Sequence, residues 1–208
     1  MKRLVLLSLA ACAVPAGAQP RFAGELALPG VLCDCDPADF VFRTTRRITG
    51  HAAPDAAGDV VRRVDAGRLI EGNDWSEALT VITETGVAIA RDDAVLADVH
   101  AYGDARYVEW PGEDRPTRTL AIARGDTLEV LAADQGYVWY RHAGALYGGR
   151  DPMMDDGFAV LRRPTEAIWF HLVPRAGRPS AWVEIRYGDR SDANVEMLCE
   201  THGGCRGQ

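Results

Sequence analysis

The chain has 208 residues, 47% hydrophobic and 25% charged, with a formal net charge of −7. This composition suits one medium globular domain or two small ones and argues against disorder. The acidity is read as solubility, and it makes nucleic acid a poor electrostatic partner.

Residues 1–18 have the layout of a secretory signal. Lys2 and Arg3 form a basic start, Leu4 to Ala11 form a short apolar run, and Ala16-Gly17-Ala18 is a small-x-small cleavage site before Gln19. The run is too short to span a bilayer as a helix, so the protein is expected in the periplasm or released. Leu9-Ala10-Ala11-Cys12 also resembles a site where bacteria cut before a cysteine and attach lipid. Cleavage after Ala18 is the expectation, and membrane contact follows only if Cys12 is lipidated. Lys2 is the single lysine of the chain, so every basic side chain after the signal is arginine.

Residues 19–42 are Gly/Pro-spaced, hold Cys33 and Cys35, and read as an irregular arm. From residue 43 onward, short apolar segments flank turn residues. Val60–Val64 and Leu69-Ile70 flank Asp65-Ala66-Gly67, and Leu120–Ile122 and Thr127–Leu131 flank Arg124-Gly125-Asp126. Tyr137–Arg141 and Ala145–Tyr147 flank His142-Ala143-Gly144. Glycine supplies the positive φ of a tight turn, and β-branched or aromatic residues suit the pleats beside it. Strands this short predict an antiparallel barrel or sandwich. A shift of 58 positions places Gly67 on Gly125, Ile70 on Leu128, Glu71 on Glu129 and Gly86 on Gly144, and Leu79/Val81 on Tyr137/Trp139. Such a register is what a duplicated unit would leave.

The stretch 47–72 (RITGHAAPDAAGDVVRRVDAGRLIEG) resembles the opening of a bacterial SH3-like domain through Ile48, Ala53-Pro54-Asp55, Val60-Val61, Gly67 and Leu69-Ile70. The stretch 169–185 (WFHLVPRAGRPSAWVEI) resembles the end of that domain through Trp169, Gly177, Trp182 and Val183, the tryptophans falling at core or near-core positions. The first copy lacks the closing Gly-Trp-Val, and the second carries extra sequence around 148–168. The expected architecture is mainly β: small SH3-like antiparallel barrels, two in tandem rather than one, with irregular termini tied by disulfides. The boundaries are residues 43–102 for the first barrel, 103–188 for the second and 189–208 for a C-terminal tail. The resemblance implies a non-catalytic binding role in the cell envelope, with peptidoglycan or an envelope protein as partner.

Four cysteines follow Ala18: Cys33, Cys35, Cys199 and Cys205. In an oxidising compartment an even count reads as disulfides. Pairing Cys33 with Cys35 closes a very tight ring, whereas pairing between the two clusters closes a loop of about 165 residues. The alternative is a metal site of Cys33, Cys35, Cys199, His202 and Cys205. The dinucleotide fingerprint, P-loop, zinc-protease helix and nucleophile elbow are all missing from the sequence, so neither catalysis nor a cofactor is expected. His51, His100, His142 and His171 are dispersed and read as structural. Aromatic residues gather in the second half, and about half should face the core by alternation. Tyr107, Trp139 and Tyr140 are the candidates for a ligand groove.

Overall fold

The local patterning becomes sixteen strands among the residues described by a computed structural model. Those residues are 21–30, 41–112, 114–134, 136–152, 156–175, 177–188 and 191–198. Residues 1–20 with Cys12, the cysteines Cys33, Cys35, Cys199 and Cys205, and His202 lie outside them. In chain order the strands begin with β1 (Leu26–Pro29), β2 (Phe42–Thr44), β3 (Ile48–His51), β4 (Val60–Val64), β5 (Leu69–Ile70) and β6 (Trp75–Glu84). Next come β7 (Gly86–Ala90), β8 (Ala94–Gly103), β9 (Thr117–Ile122), β10 (Thr127–Asp134), β11 (Tyr137–His142) and β12 (Ala145–Arg150). The last four are β13 (Phe158–Arg162), β14 (Thr165–Leu172), β15 (Ala181–Ile185) and β16 (Val195–Met197). A 3-10 turn, Gly72–Asp74, precedes β6.

The glycine turns form where the sequence places them. Gly67 and Gly125 sit at φ +78° and +87°. Ala143 and Gly144 both have positive φ, so β11 and β12 join through the two-residue turn whose twist matches a hairpin. Asp126 fastens two of these turns together. Its carboxylate accepts the Ala123 amide at 2.9 Å and lies 3.0 Å from His142 Nε2 at the head of the neighbouring hairpin.

The strands form three antiparallel sheets. The first runs β1-β6-β14-β15-β3-β4, the second β13-β7-β10-β11-β12-β8-β9, and the third β16-β2-β5. None closes on itself as a hydrogen-bonded ring among the described residues. When the strands of each large sheet are counted in chain order, both share the spatial order first-fourth-fifth-sixth-second-third, with β13 added at the edge of the second. The second sheet lies in sequence between the fourth and fifth strands of the first. The arrangement is therefore nested, where the sequence suggests a tandem.

Nesting changes how the two family-like stretches relate. Residues 47–72 and 169–185 belong to one unit, because β15 pairs with β3 through Trp182↔His51 and Val183↔Gly50. β15 follows the inserted unit in sequence and pairs with both β14 and β3. The expected boundary at 102/103 falls at the end of β8, which pairs with β9 and β12 inside the second sheet. The 58-residue register aligns equivalent turns at Gly67 and Gly125. It then slips, laying β6, a fourth strand, on β11, a fifth.

Each unit has its own core. The third sheet packs on the first through Phe42, Ile70 and Val195 against Ile48, Val64, Phe170, Leu172, Val183 and Ile185. The second sheet curls around Ala88, Val99, Ile122, Leu128, Val138, Tyr140 and Phe158. Leu26, Leu28 and Ile82 of the outer unit meet Val108, Leu131, Trp139 and Leu146 of the inner unit in a third cluster. The two crossings between units lie side by side at Gly86. A Cβ there would meet the Arg162 carbonyl oxygen at 2.7 Å and Pro164 at 2.8 Å.

Gly86→Ala is therefore expected to cost about 1–3 kcal/mol by overpacking. Gly112→Ala, with open space around its Cβ, should stay within about 0.5 kcal/mol. Denaturant unfolding of both variants checks this. Asp126 is held below the ordinary carboxylate range by the Ala123 amide first and His142 second. Its stabilisation is present above the unfolded-state value and lost as pH falls through the lowered one. Asp126→Asn should flatten the acid side of the stability curve, measured as denaturant midpoints between about pH 5 and pH 2.

Candidate binding cleft

The chain between β8 and β9 builds a concavity. Gly103 (φ +67°) ends β8, and the chain turns back to run beside β1. The Ala27 amide donates to the Arg106 carbonyl at 2.8 Å and the Val108 amide to the Ala27 carbonyl at 3.1 Å. Extended backbone alternates its side chains, so Val108 enters the core between the units while Tyr107 points away from it. There Tyr107 packs at the rim of a cluster containing Leu79, Val81, Trp169 and Trp182.

Beyond Tyr107 lies a cleft of about 720 Å³, lined by Tyr102, Tyr107, Glu109, Arg115, Pro116 and Arg118 among others. The Arg115 guanidinium sits 4.2 Å from the centre of the Tyr102 ring, within cation–π range. The Tyr102 hydroxyl is 3.3 Å from the Tyr137 hydroxyl, which fixes the ring from behind. Trp110, 42% exposed, leans on Tyr137 and Trp139 with ring centres 5.2 and 4.9 Å away. The result is a cluster of tilted and edge-to-face rings, from buried Trp139 through half-buried Tyr137 to one exposed indole.

Burial drives the Tyr137 phenol far above its ordinary range, reinforced by the bond with Tyr102. Burial raises Tyr107 as well, followed by the charges of Glu77 and Glu109. Both phenols therefore stay protonated at physiological pH and offer O–H donors. Among the described residues no ion pair engages Arg115 or Arg118. The cleft combines flat apolar rings, hydroxyl donors and available guanidiniums. That set can stack on sugar faces and bind carboxylates.

Of the three groove candidates, Tyr107 lines this cleft. Trp139 and Tyr140 are 0% and 1% exposed and present no surface to a ligand. Alternation does place them on opposite faces of β11, but both faces of that strand are covered. Trp139 faces the core between the units and Tyr140 the inner unit's own core. The expectation of one wet face fails for a strand at the middle of a sheet packed on both sides.

The histidines do not come together. His51 is held between Thr49 Oγ1 at 3.1 Å and the Gly58 carbonyl at 3.0 Å. His100 lies near Tyr137, His142 bonds Asp126, and His171 stacks on Trp182 and reaches Ser76 at 3.3 Å. Among the described residues no three His, Cys, Asp or Glu side chains are placed to share a metal ion. Nor is any helix there long and apolar enough to cross a membrane.

Tyr102 and Arg115 line the cleft, with Trp110 beside it, and none of the three is among the groove candidates named from the sequence. Their signal was the turn-rich segment Trp110-Pro111-Gly112 with Arg115-Pro116, a loop displaying an aromatic and a cation. Comparison with protein-family models, curated proteins and solved structures gives no match.

The Tyr140 hydroxyl is buried without a hydrogen-bond partner. Tyr140→Phe should leave stability unchanged or raise it by up to about 1 kcal/mol, whereas Tyr140→Ala should cost about 3–5 kcal/mol. Thermal and denaturant unfolding of the two variants separates a core ring from a surface ring.

Proposed function

We propose that this is an exported, non-catalytic protein of the cell envelope that binds peptidoglycan through SH3-like modules. The observation that carries the reading is the cleft of Tyr102, Tyr107 and Arg115 beside exposed Trp110. Peptidoglycan offers both chemistries the cleft suits: sugar faces for the rings and stem-peptide carboxylates for Arg115 and Arg118. Two small antiparallel units, each wrapped around its own core, are consistent with the SH3-like resemblance of residues 47–72 and 169–185. The signal layout of residues 1–18 favours the periplasm or release from the cell.

The proposal includes disulfides between the two cysteine clusters. The Leu198 amide donates to the Val41 carbonyl at 2.8 Å, so the segments that carry the cysteines leave the described structure from adjoining points.

Co-sedimentation with purified sacculi tests the binding. The full exported chain should pellet with the wall, and Trp110→Ala combined with Arg115→Ala should weaken binding tenfold or more. No co-sedimentation of the native chain, or equal binding by the double variant, would refute the wall-binding cleft. Thiol titration of the unreduced protein should find no free cysteine, and four free thiols would exclude the disulfides.

A further inference from the structure

Four arginines and one acid meet at the loop end of the first sheet. Arg62 lies on β4, Arg68 follows the turn after it, and Arg175 and Arg178 lie in the loop joining β14 to β15. The backbones of Arg175 and Arg178 bond to each other in both directions, at 2.8 and 3.2 Å. Asp74 of the 3-10 turn is the acid. It pairs with Arg175 at 2.8 Å and Arg68 at 3.4 Å, and its second oxygen accepts the Glu71 amide at 3.1 Å.

That single carboxylate is fully engaged, with its side chain 12% exposed. Arg62 donates from Nη1 to the Val173 carbonyl at 3.0 Å, while its Nε is buried with no hydrogen-bond partner. Burial, then the neighbouring Arg178 and Arg68, press the Arg62 guanidinium below its ordinary value. Among the described residues no ion pair engages Arg62 or Arg178. A chain with 30 acidic residues against 23 basic ones thus gathers several positive charges at one point with little compensation. Self-repulsion of this kind destabilises the free protein and is relieved by an anion.

We propose that Arg62, Arg175 and Arg178 form a binding site for a phosphate ester. Guanidinium forks match oxyanions, and a tetrahedral phosphate presents terminal oxygens to several forks approaching from different directions. Asp74 answers Arg175 and Arg68, which leaves Arg62 and Arg178 without an acidic partner among the described residues. The excess of positive charge calls for a ligand bearing more than one negative charge. The site shares no residue with the aromatic cleft and does not rest on its function.

The phosphate can come from a soluble ester or from a lipid headgroup, and two measurements on the full exported chain tell them apart. Thermal unfolding is followed with added inorganic phosphate and with chloride at equal ionic strength. Phosphate should raise the midpoint in the manner of a native-state ligand, beyond the chloride response. Arg175→Gln with Arg178→Gln should weaken phosphate binding at least tenfold. Arg178→Gln alone, which breaks no ion pair, keeps the test valid if the double variant does not fold. The second arm is sedimentation with phosphatidylcholine vesicles that contain phosphatidic acid. Vesicle binding lost in the variant assigns the lipid source, and a phosphate response without vesicle binding assigns a soluble ester. Equal responses to phosphate and chloride without vesicle binding, or responses unchanged in the variants, would overturn the site.

Discussion

The antiparallel ladder between β6 and β14 is the constraint on which the rest of the structure depends. Its eight residue pairs run from Glu84↔Thr165 to Trp75↔Leu172. One strand enters the inserted unit and the other leaves it, so the ladder holds the two ends of that unit side by side. The entropy of closing a loop grows slowly with loop length, so an insert of about 80 residues costs little more than a much shorter one. Once β14 is placed, β15 returns beside β3 and completes the outer core around Phe170 and Val183. The same return carries Arg175 and Arg178 to Arg62 and Asp74.

β1 makes the second connection. It is short, yet Leu26, Ala27 and Leu28 are all fully buried. It pairs with β6 on one side and accepts the 106–108 segment on the other. Leu26 and Leu28 fill the space between the units, while Ala27 faces the cluster of Trp169 and Trp182. The aromatic cleft is thereby anchored to the outer sheet, although most of its residues come from the inner unit. A binding surface of this kind is held by the packing of two modules and not by one loop alone.

Much of the local structure was legible. The mainly β character followed from short alternating segments, and Gly67, Gly125 and Gly144 all adopt the positive φ that their turn positions demand. Trp169 and Trp182 are buried. The nesting was not legible. Periodicity marks a strand and its faces but not its partner, and β14 beside β6 and β3 beside β15 lie far away in sequence. Trp139 and Tyr140 misled for a related reason, since a strand covered on both faces has the same alternation as one with a wet face. The arginines at 62, 68, 175 and 178 carry no shared motif, and only the closing of the outer sheet brings them together.

The nested pairing can be tested most directly by backbone nuclear Overhauser contacts in the folded, isotope-labelled chain. Nested pairing places contacts across β3 and β15, joining Gly50 with Val183 and His51 with Trp182. It also requires contacts joining Ile168 with Thr80 across β14 and β6. Contacts from β15 to strands within residues 103–150, without those to β3, would establish a tandem arrangement and contradict the nested one.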